Sequence, residues 1–349
     1  MIKCKLIINS YSPFLQQIYA GFCLLESTGK ISLEIVKSKY FSTENELKPF
    51  VEIVLDGSIN IVIDTFDQGH LFEEKKLTIK PDYYFKRSYS DEMKIGHRFS
   101  EILHPLGLNY FVTDYTDRVM PVSRFIKGKV KRILSVADNL LGTNLAFNCN
   151  ISEYENPPKL NSDCKILFTT RLWDPDEFKN LSPSELENRL ETNEFRAMVI
   201  RTLKKNFPDH FLGGVERSAF TEKYYADCQL ESNKIFERRN YFSNLRKHDI
   251  CISTSGLFHA NGWKFAEYCA ASRAIVTEKV HYSVPGNFLE NQNYLVFTDE
   301  DSLTNAVSKL IENQEQRFEM MKSNYSYYQN YVRPDKLIEN ILSVALSES

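Results

Sequence analysis

Short apolar runs alternate with helical periodicities along most of this chain. Residues 6–9 read as a first buried strand. Ser12-Pro13 then offers an N-cap and a proline at the first helical position, and a helix follows to about Ser27 with Gly29 as its stop. Residues 31–36, 59–63, 82–89 and 109–113 read as further strands. In the second half, strands are expected at 165–170, 211–216, 250–252, 274–277 and 293–297, with helices at 182–207, 233–247, from Trp263, 301–313, 317–331 and 334–346. Ser182 precedes Glu185 in capping-box spacing. Such alternation predicts an α/β fold around mainly parallel sheets, whose ligands bind beyond the carboxyl ends of strands.

The length of 349 residues predicts two domains, and the polar stretch 151–163, with Pro157-Pro158, is the linker candidate. Hydrophobic residues make up 42%, enough for packed cores rather than wholesale disorder. A net charge of −3 and a pI near 6.2 exclude a general nucleic-acid binder, which would show a basic domain. Seven cysteines are scattered without a CxxC pair, so buried reduced thiols are expected rather than disulfides or zinc ligands. The first apolar run is too short for a signal sequence, and no stretch approaches the ~20 apolar residues that span a bilayer. The expectation is a cytoplasmic protein. The basic cluster 127–132, before the apolar run 133–141, reads as a solvated helix start or as a contact with anionic lipid at the inner face of the membrane.

The stretch 249–297 carries the candidate chemistry. A strand ends in Ser253, Thr254, Ser255 and Gly256, and after a loop through His259 and Asn261 a helix opens at Gly262-Trp263-Lys264. A helix amino terminus carries partial positive charge and unpaired N–H groups, which suits a nucleotide diphosphate. Gly262 lets a ligand approach the backbone, and Lys264 adds a full charge in the first turn. Glu267 sits among Phe265, Ala266, Tyr268 and Cys269 on a small apolar helix. A carboxylate there is costly unless partnered. Ribose hydroxyls are one partner, and a neighbouring arginine or lysine is the other.

Ser255-Gly256-Leu257-Phe258-His259 followed by Trp263-Lys264-Phe265-Ala266-Glu267-Tyr268 resembles the donor segment of bacterial glycosyltransferases with the two-domain GT-B fold. Many of these carry a Glu-x7-Glu pattern whose second Glu holds the donor ribose. Glu267 matches that position. The first Glu falls at His259, so the chain departs from the pattern there. The resemblance implies two Rossmann-like domains facing a central cleft, an acceptor-side domain at 1–155, a donor domain at 156–325, and C-terminal helices at 326–349 crossing back to the first domain. It implies a UDP- or GDP-linked sugar as donor substrate, no metal or other cofactor, and a glycan or lipid-linked glycan acceptor in surface polysaccharide synthesis, with retention of configuration favoured.

An arginine just past the first donor-domain strand commonly reaches the diphosphate in that family, and Arg171 matches; by itself it could equally pair with Asp174 or Asp176. Gly256 and Asn261 complete the expected donor loop. Asp64, Asp67 and His70 follow a strand end in the first half, where a base near an acceptor hydroxyl would need a carboxylate or imidazole. Asp67, His70 and His259 are the catalytic candidates. Lys86 and Arg87 read either as anion ligands or as ion-pair partners of Asp91 and Glu92, Arg238-Arg239 as a solvent face, and Gly213-Gly214 as at most a faint phosphate signal, with no Walker pattern around it. A nucleotide-sugar epimerase of the same fold and a non-catalytic scaffold are the rival readings.

Overall fold

The computed structural model describes residues 1–42, 49–114, 119, 149–177 and 181–347; the basic cluster 127–132 and the run 133–141 lie outside them. The chain divides into two compact units. The first contains Met1–Glu153, Tyr282–Pro285 and Gln329–Ser349, and the second Tyr154–His281 and Gly286–Tyr328. The α-helices of the described residues are α1 (Gln16–Ser27), α2 (Ile151–Tyr154), α3 (Pro183–Asn206), α4 (Ala219–Tyr224), α5 (Arg238–Lys247), α6 (Trp263–Ala270), α7 (Glu300–Glu312), α8 (Gln314–Tyr327) and α9 (Pro334–Ser347).

The first unit is built on six strands, β1 (Ile2–Ser10), β2 (Ile31–Ser42), β3 (Phe50–Leu55), β4 (Ile59–Asp64), β5 (Tyr83–Lys86) and β6 (Leu103–Pro105), in the order β2-β1-β3-β4-β5-β6. β1–β2, β4–β5 and β5–β6 are parallel, but β3 runs antiparallel to both neighbours. The mainly parallel sheet expected here is therefore mixed. The reversal between β3 and β4 is made in the three-residue turn Asp56-Gly57-Ser58, where Asp56 and Gly57 are left-handed, with φ of 47° and 77°, and the Ser58 amide donates to the Leu55 carbonyl at 3.0 Å. Residues 109–113 are a second departure. They run extended outside the sheet, where the Asn109 amide donates to Gln17 Oε1 (2.9 Å) and to the Phe14 carbonyl (3.1 Å). β6 takes the ladder position beside β5 instead.

A 3-10 turn, Pro13–Leu15, leads into α1, and the Ser12 hydroxyl accepts the Phe14 amide at 3.3 Å. The buried face of α1 meets the last helix, α9, within one core that includes Ile18, Phe22, Ile338 and Ile341. Gly21 makes the approach feasible, because a Cβ there would lie 2.2 Å from the Pro334 carbonyl oxygen. The C-terminal helix thus returns to the first unit. Tyr282–Pro285 also belongs to it, through the Ser283 amide on the Tyr89 carbonyl at 2.8 Å.

The second unit is a fully parallel sheet of β7 (Ile166–Thr170), β8 (Phe211–Val215), β9 (Ile250–Ser253), β10 (Ala274–Thr277) and β11 (Tyr294–Val296), ordered β11-β10-β9-β7-β8. Apolar faces of α3, α7 and α8 cover it through Ile200, Leu203, Leu303, Leu310 and Met321, all fully buried. The capping box forms, with Ser182 and Glu185 each taking the other's backbone amide. Gly213 and Gly214 are packing glycines, since a Cβ would lie 2.0 Å from the Phe168 carbonyl oxygen at the first and 2.6 Å from the Cys228 carbonyl oxygen at the second. Arg238 also departs from a plain solvent face, donating to the Tyr154 hydroxyl at 2.8 Å. The cysteines are all free thiols, and no helix among the described residues is long and apolar enough to cross a membrane.

Candidate functional site

Strand order in the second unit reverses between β7 and β9, since β8 lies on one side of β7 and β9 to β11 on the other. Loops leaving the carboxyl ends of strands on either side of such a reversal diverge and leave a crevice. The β7–β9 ladder is short, pairing only Ile166 with Ile250 and Leu167 with Cys251, so the two strands part before their carboxyl ends. Arg171 lies in the loop after β7, and Thr254 to Gly262 form the loop from β9 into α6.

Lys264 occupies the gap beyond the ladder. Its ammonium donates to the Thr169 carbonyl and, at 2.7 Å, to the Thr169 hydroxyl, and it faces the Tyr241 ring at 5.5 Å. The residue as a whole is half-buried, but these partners enclose its charged end. Burial pulls its pKa down to about 8; Glu267 and Cys251 oppose that shift, and Arg196 adds to it as a like charge. The residue is therefore an internal cation behind the helix terminus rather than a snorkelling surface lysine.

Glu267 is buried on α6, one turn further on. Its Oε2 accepts the Tyr241 hydroxyl at 2.5 Å, and among the described residues it forms no ion pair. Burial first, and then the Glu267 charge, hold the Tyr241 phenol well above its usual pKa, so it stays a donor. The expected structural partner, a lysine or arginine, is replaced by this phenol from α5. Only one carboxylate oxygen is engaged by it.

At the amino end of α6, Gly262 is the N-cap, with φ −68° and no side-chain cap. A Cβ at Gly262 would meet only the Thr254 carbonyl oxygen, at an ordinary 3.7 Å. The protein's own packing therefore does not demand glycine here. Asn261 is buried just before it. Gly256 closes the loop, its amide donating to the Ala260 carbonyl at 2.8 Å. Between them Phe258 and His259 both adopt the left-handed region, with φ of 58° and 59°, a strained pair for residues with side chains. His259 is exposed and stacks on His281, with ring centroids 4.2 Å apart. A cavity of about 150 Å³ lies beside this loop, lined by Asn188, Glu191, Thr192, Phe195, His259 and Glu278 among others.

Arg171 is exposed, and among the described residues it pairs with neither Asp174 nor Asp176. Its guanidinium instead stacks 3.8 Å from the Trp173 ring. Asn193 fixes Trp173 in turn, accepting its amide and donating to its carbonyl, each at 2.8 Å. Arg196, which the sequence did not single out, is buried nearby and bonds to both loops.

In the first unit the three acidic and imidazole candidates separate. Asp64 is fully buried, accepting from Tyr84 (2.7 Å), Lys86 (3.0 Å) and the Phe66 amide (2.8 Å). Burial outweighs these donors and raises its pKa. Lys86 is therefore a buried counter-ion, and Arg87 pairs with Asp67 at 2.6 Å. Both cations are thus engaged by aspartates, and among the described residues no ion pair joins either to Asp91 or Glu92. Asp67 keeps a side-chain exposure of 42%, and His70 is exposed. Among the described residues no group of three or more His, Cys, Asp or Glu side chains is arranged to hold a metal.

The fold class is the one the sequence predicts, α/β in two units with parallel-rich sheets. No protein-family model matches the sequence, and no curated protein is significantly similar to it. Similar solved structures include the C-terminal domain of the group 1 family glycosyl transferase LpcC from Francisella tularensis. It is 13% identical with a TM-score of 0.34, covering 53% of this chain and 99% of that one. HepE of Anabaena in complex with UDP is 12% identical with a TM-score of 0.42, covering 76% of this chain and 64% of its own, just under two thirds. MnaA of S. aureus with UDP is 12% identical with a TM-score of 0.44, covering 99% and 97%.

Proposed function

We propose that the chain is a glycosyltransferase that takes a sugar from a nucleotide-sugar donor, UDP- or GDP-linked, and passes it to a glycan or lipid-linked glycan acceptor. The observation that carries this reading is the Glu267 carboxylate. It is buried at the switch point of a parallel sheet, its Oε2 held by a neutral phenol and its Oε1 without a hydrogen bond among the described residues, one turn below a helix terminus with no side-chain cap. In this reading the free oxygen takes ribose hydroxyls. The diphosphate lies against the α6 amides and Arg171, with Lys264 adding charge from behind. Gly262, which packing leaves unconstrained, gives the phosphates room.

Charge builds on the leaving diphosphate in the transition state, so fixed cations and amides there lower the barrier. Asp67 or His70 would serve as base if the reaction inverts; retention needs none. Surface polysaccharide synthesis, and contact with the inner membrane face, belong to the same proposal. The departure at His259 favours a second reading, a nucleotide-binding protein that transfers nothing. Thermal-shift titration with UDP, GDP, CMP and ADP tests the first step, because a ligand bound to the native state raises stability by mass action. No stabilisation by any of the four rejects both readings. Incubating the bound donor with and without glycan acceptors then separates transfer, epimerisation and mere binding.

A further inference from the structure

Arg196 projects from α3 into the space between the two loops that flank the β7/β9 reversal. Its Nη1 donates to the Arg171 carbonyl at 2.7 Å, on the β7 side. Its Nη2 donates to the Ser255 carbonyl at 3.0 Å and its Nε to the Thr254 hydroxyl at 3.2 Å, on the β9 side. One rigid planar group thus spans the gap that the short ladder leaves open. Glu278, just past the end of β10, takes the Ser255 amide, so the peptide groups on both sides of the Ser255 Cα are held. A lysine could not reproduce this, having no fixed fork of donors.

We propose that Arg196 is the positioning residue of the anion site: it holds the Arg171 loop and the Thr254–Gly256 loop at fixed spacing, and its charge acts on Lys264. This rests on the donor-site reading above. Thr169 from β7 and Tyr241 from α5 contact Lys264, and Glu267 on its own helix, Arg196 from α3 and Cys251 from β9 act on it through their charge. Of these Arg196 is the one cation. Burial lowers Arg196 itself only to about 10, so it keeps its charge where Lys264, pulled down to about 8, loses its own.

The test is calorimetric titration with UDP from pH 6.5 to 9.5 on wild type, Arg196→Lys and Arg196→Gln. Lysine labelled with 13C at Cε, assigned through Lys264→Arg, reports the Lys264 titration without ligand. The expected result for Arg196→Gln is a ~10-fold loss of UDP affinity at pH 7 from the untied loops, with the alkaline fall in affinity moved upward and the Lys264 signal titrating at higher pH. Arg196→Lys restores the wild-type pH midpoint but not the affinity. A purely structural arginine would lower affinity or stability and leave both midpoints unmoved, and that result overturns the proposal. If wild type binds no nucleotide, the donor reading fails. The labelled-lysine titration then decides this one: an unmoved Lys264 midpoint in Arg196→Gln overturns it.

Discussion

The Tyr241 hydroxyl stands 2.5 Å from Glu267 Oε2, and this hydrogen bond, together with the Lys264 charge on the same helix, makes a buried carboxylate tolerable there. Tyr241→Phe removes the donor and leaves a buried charged acceptor unsatisfied. A loss of about 1–3 kcal/mol is expected in urea denaturation. Glu267→Gln keeps the shape and most of the fold but weakens the acceptor, so nucleotide affinity should fall about 10-fold while stability changes little. If Glu267→Gln binds UDP as well as wild type does, the ribose assignment is wrong.

Lys264 ties stability to pH with a sign opposite to that of a salt-bridged lysine. Its ordinary pKa of 10.5 is lowered by burial to about 8 in the folded chain. Between those values the unfolded chain holds the additional proton, so stability rises with pH. The cost of the buried charge is fully present below about pH 8 and is relieved by about pH 10.5. Urea denaturation at pH 7.5 and 9.5 should show a gain on the order of 1–2 kcal/mol that Lys264→Met lacks. Nucleotide affinity should move the other way, falling above pH 8 as the site loses its internal cation.

Asp64 and Asp67, three residues apart, should behave differently. Asp64→Asn strands the Lys86 ammonium in a site where both side chains are fully buried, and a cost of about 3–5 kcal/mol is expected. Asp67→Asn breaks a partly exposed pair with Arg87 and should cost under about 1 kcal/mol. If Asp67 is the base of an inverting transfer, it alone should abolish turnover with donor affinity intact. Chemical denaturation together with a transfer assay separates the two.

Periodicity revealed most of the second unit because its strands are short runs separated by helices, the pattern of a fully parallel sheet, with the β10–β11 connection the exception. It failed where register or packing decided. The β3–β4 hairpin was written in Asp56-Gly57 after an apolar run, a turn signal that an α/β expectation overlooks. Residues 109–113 hold a short apolar run that reads as a strand, but the ladder position beside β5 went to Leu103–Pro105. The segment 249–267 was legible as a site because a glutamate on an apolar helix needs an explanation. Its surroundings were not. Tyr241 lies 26 residues from Glu267, Thr169 95 from Lys264, and Arg196 58 and 59 from Thr254 and Ser255, and only tertiary structure brings such residues together. Lys86 and Arg87 looked like ligands because nothing local showed that Asp64 and Asp67, 22 and 20 residues earlier, would claim them.

Gly262→Ala gives the sharpest separation of ligand from fold. Packing does not require glycine there: φ is an ordinary −68°, and the added methyl would meet one oxygen at 3.7 Å. Alanine is a poorer N-cap than glycine, but it also restricts the unfolded chain, so stability should change by less than about 1 kcal/mol. A methyl group over the first α6 amides would nevertheless stand where a phosphate must approach. Loss of UDP affinity by about 10-fold or more is expected, with the denaturation midpoint nearly unmoved. If the variant binds UDP like wild type, the helix terminus does not hold the diphosphate, and any anion must sit with Arg171 alone.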